Sequence, residues 1–287
     1  MRTLLTGAHG TVGTALTGHL GDVDLTLFDR RQVDQTTEWH GDGPHPHADR
    51  AAIAGDVADA EAVRAAVEGH DAVVHLAGYP RTDGTWEEVL KNNVVGTRTV
   101  LDAAVAAGVE RVVFASSNHV VGMYEREHAP GIYHGTDLEV DHTVPYRPDS
   151  PYGSSKAACE VFGREYAENR GLRFYAVRIG SVRPPAYDHP YGDAERGVDE
   201  GRWSRGSDAY REQAARMKAT WLSRRDCAAL FDCCLRDSSV GYDVFYGVSD
   251  NERRWFDLDH ARDVVGYDPR DDGERWDGPP AARGSTE

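Results

Sequence analysis

The residues best equipped for chemistry are Tyr152 and Lys156, four positions apart in the run YGSSK. Residues four apart share one face of a helix, so a phenol and an amine there can address the same substrate. A free phenol has a pKa of about 10 and is a poor base at neutral pH. A neighbouring ammonium favours phenolate, and such a pair can take a proton from a substrate hydroxyl. A second polar cluster, Ser117, Asn118 and His119, leaves a strand in the run ASSNHVVG. Ser117 is placed to hydrogen-bond the reacting hydroxyl, and Asn118 and His119 to bind further hydroxyls of a sugar-like molecule. A Ser/His/Asp hydrolase is the rival chemistry, but the sequence has no G-x-S-x-G elbow.

Upstream lies TGAHGTVG, residues 6–13. Gly7, Gly10 and Gly13 let the chain turn sharply, approach a pyrophosphate and bring a helix against a sheet. The helix start at Thr11 and Val12 then offers free N–H groups to phosphates. The spacing is G-x-x-G-x-x-G rather than the general G-x-G-x-x-G. Asp29, sixteen residues past Gly13, closes the next strand and is suited to an adenosine ribose, which favours NAD. Arg30 and Arg31 follow directly and would suit NADP instead. NAD is the expected cofactor.

The elements that must position these residues alternate. Strands are expected at Arg2–Thr6, 24–28, 51–54, 72–76 and 111–115, with helices to about residue 20, over 58–67 and over 85–107. Such alternation predicts an α/β fold, a Rossmann-type doubly wound parallel sheet covered on both faces. A loop over 116–149 leads to a helix from about residue 151, then a strand at 172–179. The stretch 184–206, crowded with Pro, Gly and charge, reads as a loop or small lid. Helices follow near 209–218 and 224–235, then a strand at 243–247. The expected division is a cofactor-binding domain over 1–178 and a smaller substrate-binding part over 179–287, with a loose acidic tail after about 268.

Composition narrows the setting. The 287 residues are 40% hydrophobic, enough for a core, and no apolar run approaches the length of a membrane span. The start lacks a signal peptide's apolar stretch, so a cytoplasmic protein is expected. Thirty Asp and 18 Glu face 29 Arg and only three Lys, for a formal charge of −16. That balance reads as adaptation to high salt, or as the codon bias of a GC-rich genome. It argues against nucleic-acid binding. Cys159, Cys227, Cys233 and Cys234 form no C-x-x-C pair and read as reduced thiols. The histidines of WHGDGPHPHADR (His40, His45 and His47) fall in an exposed loop without ligand spacing, and no metal is expected.

Taken in order, TGAHGTVG, GDV (55–57), LAG (76–78), NNVVGT (92–97), SSN and YGSSK resemble the extended short-chain dehydrogenase/reductase family, of NAD-dependent epimerase/dehydratase type. The resemblance implies that Asp56 and Val57 contact adenine, that Leu76, Ala77 and Gly78 line the cofactor, and that Asn93 supports a proton relay. It makes Ser117, Tyr152 and Lys156 the catalytic triad. ASSNHVVGMYE, RPDSPYGSSK, RIGS, RMKATWLSRRDCA and YGVSDNERRWF are similar to uronate dehydrogenases and, more so, to archaeal NAD-dependent glucose-6-phosphate dehydrogenases, which oxidise C1 of a cyclic sugar to a lactone. Arg216 then matches the arginine that holds the substrate carboxylate, and a guanidinium fork suits a phosphate equally well. Phe256 is expected to pack against the sugar, or in the core. The segment 184–215 looks longer than in either relative, and its arginines could reshape the pocket. Glucose 6-phosphate is the first candidate substrate, then a uronate or a neutral aldose. Nucleotide-sugar epimerases and a silent NAD sensor are the alternatives. A homo-oligomer, paired through helices 85–107 and 151–170, is expected from the family.

Overall fold

The computed structural model describes residues 1–31, 47 and 50–280. Seven strands form one parallel sheet: β1 (Arg2–Thr6), β2 (Asp24–Asp29), β3 (Ala52–Ala54), β4 (Ala72–His75), β5 (Arg111–Ser117), β6 (Arg173–Ile179) and β7 (Tyr242–Gly247). Their order in space is β3-β2-β1-β4-β5-β6-β7. The winding reverses between β1 and β4, and at that reversal the loops leaving the two carboxyl ends part and open a crevice.

The strands read as apolar runs because neighbouring residues of one strand feed two cores. Leu5, Val74, Val113 and Val177 belong to one buried layer, and Leu4, Val73, Val112 and Ala176 to the other. The first layer is completed by α1 (Thr11–His19) and α9 (Arg224–Arg236), which pack against each other. The second is completed by α2 (Ala60–Val67), α4 (Gly96–Ala107) and α6 (Pro151–Arg170). Pro151 at the first turn and the Ser150 side chain, accepting from the Gly153 N–H, fix where α6 begins.

Four regions depart from the expectation. The helix over 85–107 is interrupted: α3 (Trp86–Val89) passes into a π-helical turn at Leu90–Val95 before α4. The loop over 116–149 contains a 3₁₀ turn at Asn118–Val121, α5 (Gly122–His128) and a second turn at Gly131–His134. The stretch 184–206 is no simple loop. It holds α7 (Gly192–Asp199), packed on α8 (Asp208–Thr220) around Ala194, Tyr210 and Ala214. These elements were hidden because short charged helices carry little apolar periodicity.

The tail is not loose over its described length. After α10 (Asp259–Val265), the N–H groups of Arg270 and Asp271 donate to the buried Asp226 carboxylate, and Gly273 N–H donates to Asn251. Residues 281–287 lie outside the described residues. In the part after Arg178, β7 joins the sheet beside β6 and α9 lies on α1.

Candidate active site

A cleft of about 1380 Å³ opens at the carboxyl ends of the strands. Its floor begins at the β1–α1 turn. Gly7 has φ +70°, and a Cβ there would meet the Ala77 N at 2.6 Å. A Cβ on Gly13 would collide with the Ala8 carbonyl oxygen, so α1 lies tightly on the turn. At Gly10 the nearest atom is the Gly7 oxygen, at 3.3 Å. Gly10, Thr11, Val12 and Gly13 all line the cleft, and Gly10 caps α1 with no side chain over its N–H groups. This bare cradle fits a dinucleotide pyrophosphate. Asp29 lines the same end, its carboxylate accepting from the backbone N–H groups of His9 and Arg30 at 3.1 and 2.7 Å. The glycine turn is thereby tied to the end of β2.

Val57, Leu76, Ala77 and Gly78 form part of the wall, as does Gly55. Asp56 does not. Its carboxylate accepts from the Ala58 N–H at 3.0 Å and pairs with Lys91 at 3.1 Å, so it closes the turn before α2 instead of facing the cleft. Asn93 stands behind the wall, buried in the π-helical turn. Its side-chain oxygen accepts from Tyr79 N–H at 2.6 Å, and its amide donates to the Tyr79 carbonyl and to Ser155 Oγ. It therefore braces the segment after β4 against α6. Sequence reasoning missed the buried chain beneath. Thr6 Oγ1 meets His75 Nδ1 at 2.8 Å, and His75 Nε2 meets Thr97 at 3.1 Å. Burial first, then the Lys156 charge, push the His75 pKa down to about 3, so this ring is neutral.

Ser117, Asn118, His119, Tyr152 and Lys156 meet in the cleft. Lys156 is buried, donates to the Ala115 carbonyl at 2.8 Å, and stands 4.6 Å above the Phe114 ring and 5.9 Å from the Tyr152 ring centre. Burial lowers its pKa to about 8. Burial also raises the Tyr152 phenol, and the Asp149 charge adds to that rise, while a hydrogen bond from Ser117 opposes it. The ammonium therefore does not make this phenol acidic by itself, contrary to the expectation. Its bond is spent on the strand carbonyl, and Lys156 is buried while Tyr152 is half-exposed in the cleft. His119 Nδ1 meets the Asp149 carboxylate at 2.7 Å, and its ring lies edge-on to Tyr152 at 5.8 Å. Burial would raise the Asp149 carboxyl, but the bond to His119, its charge and the Ser150 hydroxyl outweigh it and hold the carboxyl low. Asp149 was not legible as a partner, since 30 residues separate it from His119.

Across the cleft, Arg183 and Arg216 line the wall. Arg216 is clasped through Nε and Nη2 by Glu125, and Glu125 also accepts from the Tyr133 hydroxyl. Arg183 is clasped in the same two-pronged way by Asp193 of α7. Phe256 departs from the expected substrate contact. It is 4% exposed, stacks on Tyr246 at 4.8 Å and bridges Val140 in the core, because the segment it ends pairs with the loop before α6.

Of the three loop histidines, His40 and His45 lie outside the described residues. His47 is buried, its ring 5.1 Å from that of His9. Elsewhere His142, Asp243 and His260 bring one ligand atom each within 4.8 Å, with His260 Nε2 already bonded to Asp243 at 3.0 Å.

Comparison with known proteins gives this geometry a family. The chain is 41% identical over 271 residues to the NAD-dependent glucose-6-phosphate dehydrogenase of Haloferax volcanii, covering 93% of this chain and 92% of that one. It is 34% identical to the uronate dehydrogenase of Pseudomonas putida, with 96% and 86% covered. It is also 34% identical to an L-arabinose 1-dehydrogenase (NAD(P)(+)) of Haloferax volcanii, with 90% and 96% covered. Among solved structures, a mutant uronate dehydrogenase from Agrobacterium tumefaciens complexed with NAD superposes with a TM-score of 0.72, at 29% identity and with 98% and 92% covered. The model of the NAD dependent epimerase/dehydratase family matches residues 3–198. With its glycine turn, its Ser117–Tyr152–Lys156 cluster and a match over two thirds of its length, the chain belongs to the NAD-dependent epimerase/dehydratase family.

Proposed function

We propose that this chain is an NAD-dependent sugar dehydrogenase that oxidises C1 of a cyclic sugar to the lactone, with glucose 6-phosphate as first substrate. The observation that carries the reading is the meeting of Ser117, Tyr152 and Lys156 in the same cleft as the bare glycine turn. The Haloferax relative named for NAD and glucose 6-phosphate supports it.

The turn at Gly7–Gly13 holds the pyrophosphate, Asp29 the adenosine ribose, and Leu76, Ala77 and Gly78 the wall beside it. When bound, NAD⁺ supplies the acceptor for the hydride that C1 gives up and adds a positive charge to the site. Ser117 and Tyr152 hold the C1 hydroxyl, and Tyr152 takes its proton as the lactone carbonyl forms. A half-buried phenol with a raised pKa needs that added charge to ionise, so Tyr152 becomes a base only in the loaded site. Lys156 anchors the floor between Ala115 and Phe114 and contributes its charge from there. His119, held by Asp149, and Asn118 orient the sugar hydroxyls, and Arg216, clasped by Glu125, lines the substrate side of the cleft beside them.

A panel of sugars with NAD⁺, followed by NADH absorbance in high salt, tests the reading. Glucose 6-phosphate should lead, followed by a uronate and then neutral aldoses. Absence of NADH with every sugar would overturn it, and turnover confined to nucleotide sugars without net NADH would favour an epimerase.

The setting is part of the same proposal: a homo-oligomer in the cytoplasm. Trp86, Leu90, Val95 and Val161 are exposed on elements that pack together, which supports a shared face between copies. All four thiols are free, which suits a reducing compartment. No helix of the described residues is long and apolar enough to cross a membrane. Light scattering should give a dimer or larger, and Val161→Glu should reduce it to monomer.

A further inference from the structure

We infer that Arg196 and Arg202, at the edge of α7, form a phosphate subsite for the far end of the substrate; this rests on the sugar-dehydrogenase reading and extends it. Among the described residues, four arginines of the substrate side line the cleft: Arg183, Arg196, Arg202 and Arg216. The carboxylates that line it, Asp29 at the end of β2 and Asp83 in the segment after β4, are on the cofactor side. The arginines' own partners Asp193, Glu200 and Glu125 are outside the lining and hold the guanidiniums from behind.

The four are not equivalent. Arg183 and Arg216 each have a carboxylate to themselves, gripped through Nε and Nη2. Arg196 and Arg202 share one. Glu200 accepts from Arg196 Nε at 2.7 Å and pairs with Arg202 Nε at 3.0 Å. The terminal Nη groups of both have no hydrogen-bond partner among the described residues, and both side chains remain 47% exposed. Two guanidiniums against one carboxylate leave a positive charge facing the cleft. A phosphate monoester, with a charge of about −1.5 to −2 and three terminal oxygens, can span two forks. A carboxylate has one charge and two oxygens, which a single fork already satisfies.

The pair is also held in place. Arg202 lies over the Trp203 ring at 4.6 Å, and Trp203 donates to the Ala194 carbonyl at 2.9 Å. Gly197 packs so closely on that indole that a Cβ would collide with it. Arg183, reaching from the end of β6 to Asp193, fixes α7 to the sheet. The subsite thus stands on a small packed unit.

The test is the double variant Arg196→Gln/Arg202→Gln, compared with wild type on glucose 6-phosphate and glucose at one fixed salt concentration. The ratio of kcat/KM for the two sugars should fall tenfold or more, through KM, and Arg196→Lys/Arg202→Lys should restore part of it. A ratio within twofold of wild type would overturn the subsite. Calorimetric titration of glucose 6-phosphate into each protein with NADH reads binding without turnover. Weaker binding to the glutamine variant supports the subsite even if C1 oxidation proves wrong. Equal binding to both proteins, or none to wild type, overturns it.

Discussion

The wall from Gly7 to Gly78 and the wall carrying Arg183 and Arg216 face each other across one cleft, yet they are made differently. The first is mostly backbone: a left-handed glycine, a bare helix start, and the Leu76–Gly78 segment packed against that glycine. The second is made of side-chain ion pairs, Arg216 with Glu125 and Arg183 with Asp193. Backbone can hold the part of a ligand that never changes. Paired charges can be exchanged residue by residue, which suits the part of a site that selects among sugars.

If that contrast is right, the sharpest break should come at the meeting of the walls. Tyr152→Phe removes the proton acceptor and should lower kcat by about 10² to 10⁴-fold while NAD⁺ binding survives. Unchanged turnover in the absorbance assay would end the phenol's assigned role.

A second break separates an ion pair that holds the fold from one that serves the cleft. Glu160 and Arg178 are fully buried between β6 and α6, with the Tyr246 hydroxyl and Ser116 completing the network. Arg178→Met strands a buried carboxylate and should cost about 3–5 kcal/mol in denaturant unfolding. Glu125→Gln, at the cleft, should leave the melt much closer to wild type. It should instead lower KM for an anionic sugar a few-fold by releasing the Arg216 fork. Equal effects of the two variants on stability would erase the distinction.

The smallest effect is a titration. In ¹³C-methylated protein the Lys156 signal, assigned by its loss in Lys156→Arg, should move near pH 8. The sign follows from burial: Lys156 carries its charge below about 8 and loses it above, against about 10.4 for a free amine. Its contribution to folding stability should therefore rise as pH climbs from about 8 to 10.4, where the unfolded chain binds the extra proton. A Lys156 signal that does not titrate below pH 9 would sink the assignment.

How much was legible follows the same division. The glycine turn and the Tyr152–Lys156 pair each lie within eight residues, and local spacing reports local geometry. The sheet was legible too, because apolar runs alternate with periodic ones. Glu125, 91 residues from Arg216, and Asp149, 30 from His119, had no such signal. The bonds of the Asp56 carboxylate to its own turn and to Lys91 were not legible from its family position. Phe256 read equally as a sugar contact or as a core aromatic, and its pairing with Val140 decides for the core. The α7 unit was invisible because its core is three residues with an indole laid across them.

The clasp on Asp226 bears on the order in which the molecule can be finished. That carboxylate takes bonds from Ser249 Oγ and from the N–H groups of Arg270 and Asp271. Until residue 271 has emerged from the ribosome, the carboxylate at the start of α9 keeps only its Ser249 partner, and two of its three bonds are unmade. The corner therefore locks last, and a message cut short before that point would yield a chain with its seam open.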